Sequence, residues 1–162
     1  MNGSKGNAAF NASEMPERRD IVLNLNTARR MLPLVQRVVD DILADRKVLV
    51  RLQPEQDRLD RHKRDLVWQE RQRRYQVHEE VGSIERHLSA SLDELGALGV
   101  TMLEPETGRV GFPTLVNDRR AYFSWQPGED TLISWHFAEE TAERPIPASW
   151  WKISEASMSA SN

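Results

Sequence analysis

The chain has 162 residues, 39% hydrophobic and 29% charged, with a formal net charge of -3 and a mean hydropathy of -0.62. This is a globular balance at the length of one domain with tails, and the slight negative charge speaks against general nucleic-acid binding. The absence of cysteine excludes disulfides, thiolate chemistry and cysteine-type zinc sites and fits a cytoplasmic location, while no apolar run approaches the roughly 20 residues of a membrane span.

Residues 1–20 are Asn-, Gly-, Ser- and Ala-rich and read as a disordered extension. Residues 21–148 read as a single domain, with a helical hairpin over about 24–97 and a β-meander over about 100–137. Residues 149–162 read as a C-terminal tail. Ile21 to Leu25 is a short apolar segment, and Asn24 or Asn26 can cap the helix that follows. Ala28, Met31, Leu32, Val35, Val38, Val39 and Ile42 recur at helical spacing. Pro33 is expected to bend this helix, and Gln53-Pro54 to end it.

From Glu55 to about Leu95 the only glycine is Gly82 and there is no proline. Leu59, Leu66, Val77, Val81, Ile84, Leu88, Leu92 and Leu95 form the seam of a coiled coil, interrupted around Glu70, Arg73 and Arg74. The second helix is therefore expected to be the longer and to overhang the first in an antiparallel hairpin. Gly96 and Gly99 stop it. The period then switches to two: Val100–Leu103, Arg109–Phe112, Ala121–Trp125 and Leu132–Phe137 read as four strands separated by turn-forming residues. The fold class is α+β: a long antiparallel helical hairpin followed by a four-stranded antiparallel meander. A two-residue turn near Pro127-Gly128 pairs odd positions of the third strand with even positions of the fourth. It places His136 with Phe123 and Trp125 on one face, and Trp135 and Phe137 with Tyr122 on the other. Both faces are then largely apolar.

These residues resemble the small prokaryotic proteins of domain-of-unknown-function family 2203. The resemblance rests on Leu32-Pro33-Leu-Val, Leu95-Gly-Ala-Leu-Gly99-Val, Gly111-Phe112-Pro113, Asp118-Arg119, Trp125-x-x-Gly128-Glu129 with Trp135-His136 downstream, and Arg144-Pro145-Ile146. It implies a cytosolic prokaryotic protein and no particular reaction. The chain departs from the family in three places. Gly111 stands where Asp is usual, Asp118-Arg119-Arg120 replaces Asp-Gly-Arg, and the segment Phe137–Glu143 contains no glycine.

Three functional readings follow. In the first, Trp68 and Tyr75, seven residues apart on one helical stripe, form a contact with another copy, giving a homo-oligomeric interaction or regulatory protein, a dimer, without catalysis. In the second, Glu129, His136, Arg144, Trp125 and Trp135 bind a small ligand, or His136, Glu129 and Glu139 hold a divalent metal, since imidazole and carboxylate suit such ions. In the third, the basic stretch 58–74, with Trp68 and Tyr75 interleaved, tracks nucleic-acid phosphates weakly; i,i+4 pairs such as Asp60–Arg64 and Glu70–Arg74 account for its charges more simply. No cofactor is predicted beyond a possible divalent ion. No Gly-rich phosphate loop, nucleophile elbow or His-Glu-x-x-His motif occurs.

Overall fold

The computed structural model describes residues 21–152. The expected N-terminal extension, and residues 153–162 of the expected tail, lie outside the described residues. Helix α1 spans Leu25–Arg61 and α2 spans Trp68–Ala97, followed by strands β1 (Thr101–Glu104), β2 (Arg109–Val116), β3 (Arg119–Trp125), β4 (Ser134–Phe137) and β5 (Arg144–Pro145). The strands pair antiparallel in chain order. The α+β architecture expected from the sequence holds, with a fifth short strand added at the edge. No helix among the described residues is long and apolar enough to cross a membrane.

The Asn24 side chain caps α1, its Oδ1 accepting from the Thr27 amide at 2.8 Å. The helix then continues through both Pro33 and Pro54, against the expectation that Pro54 ends it. Both prolines lie on the exposed face, where the carbonyls left without a partner face water. Beyond Pro54 the buried Leu59 keeps the helix packed against α2. The hairpin therefore turns at His62–Val67, and α1, about 55 Å long, outreaches α2, about 45 Å. The expected overhang is reversed. Helix α2 ends as the glycines predict: Gly99 adopts φ +77°, its amide bonds to Gly96 O, and the Val100 amide reaches back to Leu95 O. This is the Schellman arrangement, which requires a left-handed residue at this position.

Two apolar clusters hold the molecule. The larger joins Leu32, Val35, Val39 and Ile42 of α1 and Leu95 of α2 to Val110, Phe112, Phe123, Trp125 and Trp135 of the sheet. The smaller fills the distal hairpin with Leu52, Leu59, Leu66, Val77 and Val81. Leu66, expected on the seam of a continuous helix, instead closes this cluster from the turn.

Between and beside these clusters the helices are joined by charge. Glu55 takes both Nε and Nη2 of Arg73, at 2.7 and 2.9 Å, and Arg58 pairs with Glu70. Asp60 accepts from Arg74 Nε at 2.7 Å and from His78 Nε2 at 2.8 Å. Its carboxyl is held below the usual range, first by His78 and then by Arg74. The interruption of the apolar seam at Glu70, Arg73 and Arg74 is thus an interhelical ion-pair seam. The i,i+4 partners expected from the sequence are not the ones used.

Nearer the sheet, the Asp45 carboxylate hydrogen-bonds the exposed His87 ring and, with Asp41 adding to the field, holds His87 above the ordinary histidine value. A raised folded value means that this stabilisation is complete below the unfolded value and is lost as pH rises through the folded one. His87→Gln should therefore lower the denaturant midpoint most at about pH 5.5, and the gap from the unsubstituted protein should close by about pH 9. Parallel urea titrations at the two pH values measure it.

Candidate functional site

The segment Trp125–His136 is built around one turn. Trp125 is buried on the helix-facing side of the sheet, and its indole Nε1 donates to Glu129 O at 2.8 Å. The Glu129 amide donates to Gln126 O, and the Gln126 amide donates to Glu129 Oε2 at 3.1 Å. Gly128, at φ +102°, supplies the left-handed residue that the turn needs. The string Trp-x-x-Gly-Glu is thereby explained: an indole and a carboxylate close the turn from two sides.

This turn does not lead directly into a paired strand. The chain continues to Leu132, fully buried, before β4 begins at Ser134. The pairing is Ala121 with Phe137, Tyr122 with His136, Phe123 with Trp135 and Ser124 with Ser134. Odd positions therefore meet odd positions, and the expected parity is corrected. One face carries Ala121, Phe123, Trp125, Trp135 and Phe137 against the helices. The other carries Tyr122, Ser124, Ser134 and His136 and is polar, with Ser124 and His136 buried. Trp150 packs edge-on to Phe123 and tilted against Trp135, at 6.3 and 5.3 Å between ring centroids. The Trp150-Trp151 pair thus joins α1 in covering the helix-facing side.

The residues expected to form one ligand site are divided by this parity. Arg144 pairs opposite Trp135, and its guanidinium lies about equally far from the Trp135 and Phe137 rings, at 5.2 and 5.1 Å. Arg119 lies over Phe137 at 3.8 Å and pairs with Glu139 and Glu140; Arg144 also takes Glu140, at 2.8 Å. The Arg119 guanidinium holds the Glu139 carboxyl below its usual range. Glu139 is thus committed to Arg119, Glu129 to its own turn, and His136 to the opposite face. Among the described residues no group of three or more His, Asp or Glu is placed to hold a metal ion.

His136 is 5% exposed, and its ring lies 5.7 Å from that of Tyr122. Its Nδ1 is 2.8 Å from Phe137 O. A carbonyl only accepts, so Nδ1 carries the hydrogen. In the neutral ring, Nε2 then holds a lone pair, and this atom is buried without a partner among the described residues. Tyr122 owes its position to Gly111: a Cβ there would stand 2.7 Å from Tyr122 Cδ1 and 2.9 Å from Cγ. That explains the glycine at a position where the resembled family usually has Asp, a connection sequence alone does not make. On the same face Ser124 Oγ lies 2.9 Å from Ser134 Oγ and donates to Glu143 at 2.7 Å, and Glu143 pairs with Arg109. Reading along the sequence missed this network, because its members are far apart in the chain.

A shallow cleft of about 360 Å³ opens elsewhere, between Arg29, Thr131, Leu132, Ile133, Ile146 and Trp151. None of the candidate ligand, metal or interface residues expected from the sequence lines it. At the far end of the hairpin, Trp68 and Tyr75 are 66% and 71% exposed. Arg58, Arg73 and Arg74 of the basic stretch are engaged by Glu70, Glu55 and Asp60.

The geometry defines a class: a long helical hairpin whose base carries a five-stranded antiparallel sheet, stapled by a Trp-x-x-Gly-Glu turn. The chain belongs to the family described as uncharacterized conserved protein (DUF2203), whose family model matches residues 22–145. No curated protein and no solved structure matches it.

The turn yields a sharp contrast. Trp125→Phe removes the indole donor and should lower stability by about 1–3 kcal/mol. Glu129→Gln, which keeps an acceptor for the Gln126 amide, should change it by less than about 0.5 kcal/mol. Chemical denaturation of both variants measures the difference, and a large loss in Glu129→Gln would show that the charge itself matters.

Proposed function

We propose that this protein is a homo-oligomeric interaction protein, a dimer, that acts through the outer face of its second helix and not through catalysis. One observation carries the reading: two large aromatic side chains, Trp68 and Tyr75, stand exposed on one helical stripe. The distal core is already filled by Leu59, Leu66, Val77 and Val81, so neither ring serves the fold of its own chain. Aromatic residues exposed in this way mark contacts with another macromolecule, and Trp and Tyr are favoured anchors of such contacts. The nucleic-acid reading draws less support, because three arginines of its basic stretch already have carboxylate partners.

Trp68→Ala and Tyr75→Ala should each shift the protein toward monomer. Thermal stability of the monomer should change by no more than about 0.5 kcal/mol, as expected of surface substitutions. Native mass spectrometry over a concentration series, with thermal melts of the same samples, reads both quantities. A protein that is monomeric at every concentration removes the proposal.

A second reading, binding of a small ligand or a divalent ion through His136, is supported by the buried Nε2 of that ring, which has no partner among the described residues. Nδ1–H bound to a carbonyl is the usual companion of a ligating Nε2. Under this reading zinc raises the melting temperature of the unsubstituted protein and not that of His136→Gln. An equal response of the two proteins rejects a zinc site at His136.

A further inference from the structure

The outer stripe of α2 has a chemical order that fixes how a second copy sits on it; this inference rests on the self-association proposed above. In a helix, positions seven apart drift by only about 20°. Trp68, Tyr75 and Gly82 therefore lie in one line, and Arg71 and Glu79, one turn before and after Tyr75, flank it on either side. All of these are exposed except Gly82, which is half-buried. The side of the helix with the buried Val77 and Val81 and the half-buried Ile84 faces the opposite way, toward α1. Neither Arg71 nor Glu79 has a side-chain partner among the described residues.

Reversing the helix about Tyr75 exchanges Arg71 with Glu79 and Trp68 with Gly82. We infer that two copies associate through antiparallel α2 helices with the twofold axis at Tyr75, Arg71 of each facing Glu79 of the other, and Trp68 of each lying over Gly82 of the other. A parallel arrangement would set Arg71 against Arg71 and Glu79 against Glu79, so charge selects the antiparallel register. Glycine at 82 removes the side chain that would hold the indole off the backbone. Among the described residues, and apart from the helix's own backbone and the adjoining residues, a Cβ built there would meet Nη1 of Arg86, at 3.5 Å, the end of a flexible side chain. That guanidinium stands where a tryptophan face from the second copy would receive it as a cation–π partner. The aromatic and charged contacts span about 21 Å of helix, a small interface whose association is reversible and concentration-dependent.

Sedimentation velocity on the full chain tests the register by charge reversal. Arg71→Glu and Glu79→Arg each place like charges opposite one another twice, and each should raise the dimer dissociation constant at least about tenfold. An equimolar mixture of the two variants, and the doubly substituted chain, restore opposite charges at both contacts and should return to within about threefold of the original constant. Failure of the mixture to recover overturns the register. Single reversals without effect, while Trp68→Ala still dissociates the dimer, overturn the register and leave self-association standing. A wild-type chain that is monomeric, or a silent Trp68→Ala, removes both.

Discussion

One hydrogen bond, from the indole of Trp125 to the carbonyl of Glu129, governs the arrangement of the sheet. It closes the chain into a turn as soon as β3 ends. The residues that follow must then travel past the buried Leu132 before pairing resumes at Ser134. That detour sets the parity of β4. Since side chains alternate along a strand, a shift of one residue would exchange every side chain between the two faces. With the observed register, Trp135 and Phe137 join Phe123 and Trp125 beneath α1, and His136 joins Tyr122 and the serines on the polar face. This parity divides the expected ligand set, with Arg144 and Trp135 on one side of the sheet and His136 on the other, while Glu129 and Glu139 are held by the turn and by Arg119.

The hairpin is governed by a different balance. Its apolar cores are separated along the helices, and Glu55, Arg58, Asp60, Glu70, Arg73 and Arg74 pair across the helix–helix contact. Pairs exposed to this degree add little stability individually. Their value is positional. Arg73 grips Glu55 through two nitrogens, and Asp60 receives both Arg74 and His78. A shift of one helix past the other by a turn would break all of these at once. An apolar seam alone tolerates such a shift, because leucine and valine pack against one another in several registers. The charged seam therefore specifies the alignment that the two apolar clusters stabilise.

Much of this was legible in the sequence, and its failures have physical causes. The α+β order, the Asn24 cap, the glycine stop at Gly99 and the meander follow from local chemistry, where a few adjacent residues decide. Pro54 misled because a proline ends a helix only if nothing else holds the chain beyond it; Leu59, anchored against Val77 and Val81, does hold it, and that contact is not local. The i,i+4 ion pairs misled for the same reason: carboxylates across the hairpin offered better partners than those on the same helix. The β3–β4 parity was hidden in the length of the detour after Glu129, which turn-forming residues do not encode. For the candidate site, the sequence drew attention to His136, whose ring is buried. It could not show that Gly111 makes room for the tyrosine packed against that ring.

The two ends of the molecule use aromatic residues in opposite ways. At the base, Trp125, Trp135, Phe123 and Trp150 are drawn together against α1, where burial of large apolar surface stabilises the fold. At the tip, Leu66 closes the distal cluster from the turn, and Trp68 and Tyr75 are left outside a core already complete without them. An exposed indole gains nothing for the isolated chain that a smaller polar residue would not supply equally well. It stands on the stripe opposite the α1 contact, in line with the half-buried Gly82 and flanked by Arg71 and Glu79, and the proposed interface is built on that placement. The base and the distal cluster thus hold the fold, and the outer face of the second helix is the surface on which the proposed self-association rests.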